Sequence, residues 1–255
     1  MKRAGYLLLG LLLVWVSCWL SLGMLWGQPT LLLHPLQASQ GLRVLYLVML
    51  YAGMVGLLWG LWKRNPPATH WGRPGPLTVQ VWAMGVGGIC LQRLCLAGAL
   101  QGLCWPTSQA WLSAILLAPL LALVEEAVFR GYLYGALRSE LGGARAAWMV
   151  SVFFSLVHLF RPGALPFKLA YGFGLVLTSL VLTVVVEKAG IWAAAAMHSS
   201  WISANILDPP GRVESGWWSG LAGEPSAGLC SWILLLLMGL TCWKTLRANG
   251  EVQES

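Results

Sequence analysis

Long uninterrupted apolar runs alternate with short polar breaks along this chain, a rhythm that predicts helices of membrane-spanning length. Eight runs stand out, at roughly 5–26, 43–62, 78–100, 109–137, 146–160, 167–186, 190–207 and 228–243. Most approach the ~20 residues needed to cross the hydrocarbon core, although the fifth and the last are shorter. None shows the period-two alternation of a barrel strand, so helices are the spanning element that satisfies the backbone in lipid. The breaks carry turn chemistry, as in Asn65-Pro66-Pro67 and Asp208-Pro209-Pro210-Gly211. Lys2 and Arg3 precede the first run in the manner of a signal peptide. That run is too long for one and has no A-x-A cleavage site before Gln28, so it reads as a helix. The expected fold is all-α, a polytopic membrane helix bundle of about eight transmembrane helices forming one membrane domain over residues 1–255. No internal repeat, low-complexity tail or separate soluble domain interrupts it.

Composition sharpens this picture. Hydrophobic residues make up 58% of the chain and charged residues 10%, against about 25% charged in soluble domains. The net charge of +7 is spread as single basic residues between apolar runs, with no stripe or patch for phosphates, which argues against nucleic acid as a partner. The same residues follow the positive-inside rule. With a cytoplasmic N-terminus, ten of the 16 lysines and arginines fall at inner ends, and Arg43, Arg161, Lys168 and Arg212 at outer ends. Arg93 and Arg130 lie inside spans. This predicts a multi-pass integral membrane protein with both termini cytoplasmic, in the cell or inner membrane if the chain is bacterial. The six cysteines form no CxxC pair and read as small hydrophobes. Many of the 16 tryptophans lie near span ends, as interfacial anchors do.

Of the nine acidic residues, seven fall in loops, span ends or the tail. Glu125 and Glu126 are adjacent in the middle of APLLALVEEAVFRGYLYGAL. An acidic residue at a span centre costs roughly 2.5–3.5 kcal/mol on insertion scales, so two together need a reason. Arg130 stands at i+4 from Glu126 on the same helical face, where the two can pair. Glu125 is rotated by about 100° and only partly shares that partner. One carboxylate is thus tied, and one remains available for proton transfer. His34 and His70 lie in loops, whereas His158 and His198 lie within spans. At a rise of about 1.5 Å per residue, His158 and His198 sit roughly 18 and 12 Å from the inner ends of their helices. Glu125 comes about 24 Å from the outer end of its own. The three share a slab of the membrane. Taken singly, an intramembrane histidine can be a helix–helix hydrogen-bonding residue and Glu126–Arg130 a structural pair; together they look like a site.

The same residues resemble the motifs of the CAAX-processing and bacteriocin-processing (CPBP or Abi) family of intramembrane glutamic-type endopeptidases. Glu125-Glu126-Ala127-Val128-Phe129-Arg130 fits EExxxR, Phe154-Ser155-Leu156-Val157-His158 fits FxxxH, and His198 is similar to the histidine of the third motif. The resemblance covers about residues 109–207. It implies hydrolysis of membrane-associated or lipid-anchored protein or peptide substrates, at the lipid bilayer and without a cofactor. Glu125 would activate a water with help from His158, while His198 stabilises the oxyanion or orients the water. Glu126 and Arg130 would hold the helix and tune Glu125. The family has Asn four residues after its third-motif histidine, and this chain has Ile202. Asn205 lies a turn further on, and Trp201 or a backbone group is the alternative donor. A zinc version would use Glu125, His158 and His198 as ligands, although no HExxH is present. Two non-proteolytic alternatives stay open. One is a bacteriocin-immunity or scaffold protein that keeps the fold, which Ile202 favours. The other is a transporter with a proton relay, which predicts inverted repeats that are not seen.

Overall fold

The computed structural model describes residues 5, 6, 9, 10, 12–14, 16, 17, 40–64, 71–97, 105–159, 163–207 and 214–253. Helices account for nearly all of them: α1 (Gln40–Arg64), α2 (Pro76–Cys95), α3 (Ser108–Glu126), a π-helical segment (Ala127–Tyr134), α4 (Gly135–Leu141), α5 (Gly143–His158), α6 (Leu165–Ala189), α7 (Ile191–Leu207) and α8 (Leu229–Gln253). Two 3-10 turns, Leu221–Gly223 and Pro225–Ala227, precede α8. The expectation of an all-α chain holds among the described residues, where strand pairing is limited to an isolated bridge between Gly216 and Gly220. Of the seven expected spans from residue 43 onward, six each overlap one of these helices, and 109–137 runs across α3, the π-helical segment and the start of α4. Most of the first, 5–26, lies outside the described residues, as do His34, His70, Arg161, Asp208 and Arg212.

Local chemistry sets the boundaries. The Thr107 hydroxyl accepts from the Ala110 amide at 3.2 Å and caps α3. Pro76 opens α2 at the position where a missing N–H costs nothing. Gly190, at φ 86, separates α6 from α7 in a left-handed conformation, and a Cβ there would come within 2.8 Å of the Trp71 carbonyl. Nothing but glycine allows α7 to turn back this tightly beneath Trp71.

The broadest helix pair is α3 with α7. Ala114, Ala118 and Ala122 form a buried i, i+4 stripe on α3, and Ala193, Ala194 and Ala195 are buried on α7. Small side chains let two backbones approach closely, and Ser203 Oγ donates to the Ala114 carbonyl at 2.9 Å across the contact. Behind α7 lies α2, whose Gly85 faces Ser200 and Met197. Helix α6 is enclosed by α5, α7 and α8. Helix α1 lays Leu50, Met54, Leu57, Leu58 and Leu61 against a core around Phe129 and Phe154. The outer faces are apolar as well: Leu112, Ile115 and Leu120 on α3 and Leu236, Leu237 and Leu240 on α8 are all more than half exposed. An exterior of this kind meets hydrocarbon at no cost and water at a high one.

By length and composition, two helical runs are suited to crossing a membrane: Ser108–Leu141, of 34 residues, and Leu165–Ala189, of 25. Helices α5 and α7 have 16 and 17 residues, or about 24–26 Å against a core of about 30 Å. The apolar parts of α1 and α8, Val48–Lys63 and Leu229–Cys242, are of similar length. Eight crossings therefore go beyond what helix length alone supports.

Candidate active site

The EExxxR sequence straddles a change of helix geometry. Glu125 and Glu126 end α3, and the backbone continues as the π-helical segment that carries Arg130. Every residue from Glu126 to Tyr134 is buried. Wider helical turns of this type cluster at functional positions because they displace side chains from a regular face.

Glu126 and Arg130 are both fully buried, and Arg130 Nη1 donates to Glu126 Oε1 at 2.9 Å. The pairing expected from the i, i+4 spacing is present. Arg130 is held from two further sides. Its Nη2 donates to Ser179 Oγ at 2.7 Å and to the Ser179 carbonyl at 3.3 Å, while its guanidinium carbon lies 4.7 Å from the centre of the Phe154 ring. Thr183 Oγ1 in turn donates to the Ser179 carbonyl at 2.9 Å, fixing that turn of α6.

His198 comes from α7 and joins the same carboxylate. Its Nδ1 lies 2.8 Å from Glu126 Oε1, and because a carboxylate accepts, Nδ1 carries the hydrogen. Its Nε2 faces Glu125 Oε2 at 3.8 Å, beyond a good direct hydrogen bond. The Tyr51 hydroxyl, arriving from α1, donates to the other oxygen of Glu125, Oε1. Glu125 keeps 12% of its side chain exposed where Glu126 keeps none. One carboxylate is thus enclosed, with Arg130 and His198 both on its Oε1, and the other keeps some exposure.

His158 ends α5, and its Nδ1 donates to the Phe154 carbonyl at 2.7 Å, which leaves Nε2 as the ring acceptor. It shares the Phe154 ring with His198, at centroid distances of 4.5 and 6.0 Å. No described hydrogen bond or ion pair joins it to either glutamate. Among the described residues, no three His, Cys, Asp or Glu side chains gather as metal ligands would. Ile202 is partly buried and apolar, and Asn205, a turn further on, is exposed. Trp201 packs against the apolar core beside α2 and α6.

Three contributors were not singled out from sequence. Ser179 and Thr183 leave a visible signal, hydroxyl residues at i, i+4 that with Thr178 interrupt an otherwise apolar run. Tyr51 leaves none, since tyrosine is ordinary in a membrane helix and its partner lies 74 positions away.

Fold and cluster together define a class: a helical protein with an apolar exterior and a buried glutamate–arginine–histidine site. Residues 106–203 match the family described as type II CAAX prenyl endopeptidase Rce1-like. This segment of the chain is therefore similar to the CAAX-processing endopeptidases. It includes all three motifs and Ser179, and stops short of α1 and Tyr51. No curated protein and no solved structure matches the chain.

Proposed function

We propose that the protein is an intramembrane endopeptidase that hydrolyses peptide bonds of membrane-associated or lipid-anchored proteins, with a water activated by Glu125. The observation that carries this reading is the asymmetry of the two glutamates. Glu126 is committed to Arg130 and His198, whereas Glu125 presents Oε2 across a 3.8 Å gap from His198 Nε2. Two acceptors facing each other at that distance are reconciled by a water that donates to both at about 2.8 Å. Such a water has its lone pairs turned outward, toward a substrate carbonyl.

In the attack, the water oxygen bonds to the carbonyl carbon while its proton passes to Glu125. Collapse of the tetrahedral intermediate breaks the C–N bond, and Glu125 returns the proton to the leaving amine. His198 orients the water, since its Nδ1–H is already given to Glu126. His158, with Nε2 as an acceptor, assists on the side of the substrate. Arg130 pairs with Glu126 and holds the segment in place. Residues 109–207 form the catalytic part of a single membrane domain spanning 1–255. Eight crossings with both termini in the cytoplasm agree with the distribution of charge.

The test compares wild type and Glu125→Gln, with and without a chelator, on membrane-anchored peptides in reconstituted vesicles. We expect cleavage to be abolished by the substitution and unchanged by the chelator. Loss on chelation, restored by zinc, would transfer the mechanism to a metal. Equal behaviour of the two proteins would favour a non-catalytic scaffold.

A further inference from the structure

Helix α1 lies outside the segment that matches the protease family, yet one of its side chains reaches the reacting carboxylate. The apolar side chains Leu50, Met54, Leu57, Leu58 and Leu61 dock α1 on the core around Phe129 and Phe154. Tyr51 stands next to this stripe and is partly buried, with its hydroxyl on Glu125 Oε1. A carboxylate on a flexible side chain in a cavity has two equivalent oxygens and several rotamers, and a general base works only when one oxygen faces the water.

We propose that Tyr51 is a positioning residue for Glu125. By occupying Oε1 it makes Oε2 the oxygen that faces His198 Nε2 and the water between them. The same contact makes α1 a working part of the site: the family-matched core supplies the base and α1 supplies its orientation. Phenol is suited to this task, since its hydroxyl donates one directed bond from a rigid ring and stays uncharged in an apolar setting. The proposal rests on the protease reading above.

Tyr51→Phe keeps the ring and removes only the hydroxyl. In vesicles, we expect kcat to fall by about ten- to a hundredfold with KM within about twofold, as misorientation of a base would produce. The carboxylate stretching band of Glu125, obtained by subtracting the infrared spectrum of Glu125→Gln, should shift in Tyr51→Phe at an unchanged unfolding midpoint. A packing role alone would move the midpoint and leave the band in place. Wild-type kcat in Tyr51→Phe, while Glu125→Gln is inactive, would overturn the positioning role and leave the protease intact. An unmoved band would overturn the bond itself. If wild type shows no cleavage beyond Glu125→Gln, the protease reading fails and takes the proposal with it.

Discussion

Arg130 has no exposed surface and partners from three parts of the chain: Glu126 one turn back, Ser179 on α6 and the Phe154 ring on α5. Its charge is tolerable in an apolar interior only because the Glu126 carboxylate and two oxygens of Ser179 replace water around it. Arg130→Ala leaves the carboxylate buried with His198 as its remaining partner, and we expect a loss of about 3–5 kcal/mol. Ser179→Ala removes one acceptor while the carbonyl stays in reach, and should cost about 1–3 kcal/mol. Unfolding midpoints in detergent, followed by tryptophan fluorescence, measure both. Equal losses would show that the ion pair with Glu126 holds Arg130 no more strongly than the Ser179 hydroxyl does. At this scale, the pairing of Glu126 with Arg130 was legible because helical spacing fixes it. The place of His198 on Glu126 was not, because it depends on how α7 is rotated against α3.

Two neighbouring parts of one helical run respond to volume in opposite directions. On α3 the stripe of Ala114, Ala118 and Ala122 lies flush with α7, and Ala118 has no exposed surface. Ala118→Leu should therefore overpack the interface and cost about 1–3 kcal/mol. In the π-helical segment, a Cβ on Gly131 would meet Ile191 Cδ1 at 3.4 Å, an ordinary contact. Gly131→Ala should stabilise by about 0.5–1 kcal/mol, as alanine does over glycine inside a helix. The same midpoint measurement decides each, and a large loss at Gly131 would mean that the wide turn depends on glycine. The periodicity over 109–137 predicts an unbroken helix, and no residue pattern announces the change at Ala127. Hydrogen bonds from i to i+5 gain their advantage from the packing of Arg130, Tyr132 and Tyr134 against other helices, which a local reading does not contain.

Among the described residues apolar side chains lie outside as well as inside, a surface suited to lipid. The orientation we propose from the charge asymmetry is testable in sealed inverted vesicles. An epitope tag at the C-terminus should be digested by added protease, and one inserted beside Arg161 should be protected. The reverse pattern would sink the proposed topology.

The sequence by itself determined the helical class, the apolar exterior, the segment that resembles the protease family and the tie between Glu126 and Arg130. Each follows from composition or from spacing within one helix, where geometry is fixed by the backbone. The tertiary structure alone decided that His198 sits on Glu126 with its other nitrogen toward Glu125, that Ser179 accepts from Arg130, and that Tyr51 reaches Glu125 from 74 positions away. Those contacts join different helices, and their pairing depends on rotations and offsets set by small-residue interfaces, which no local spacing encodes.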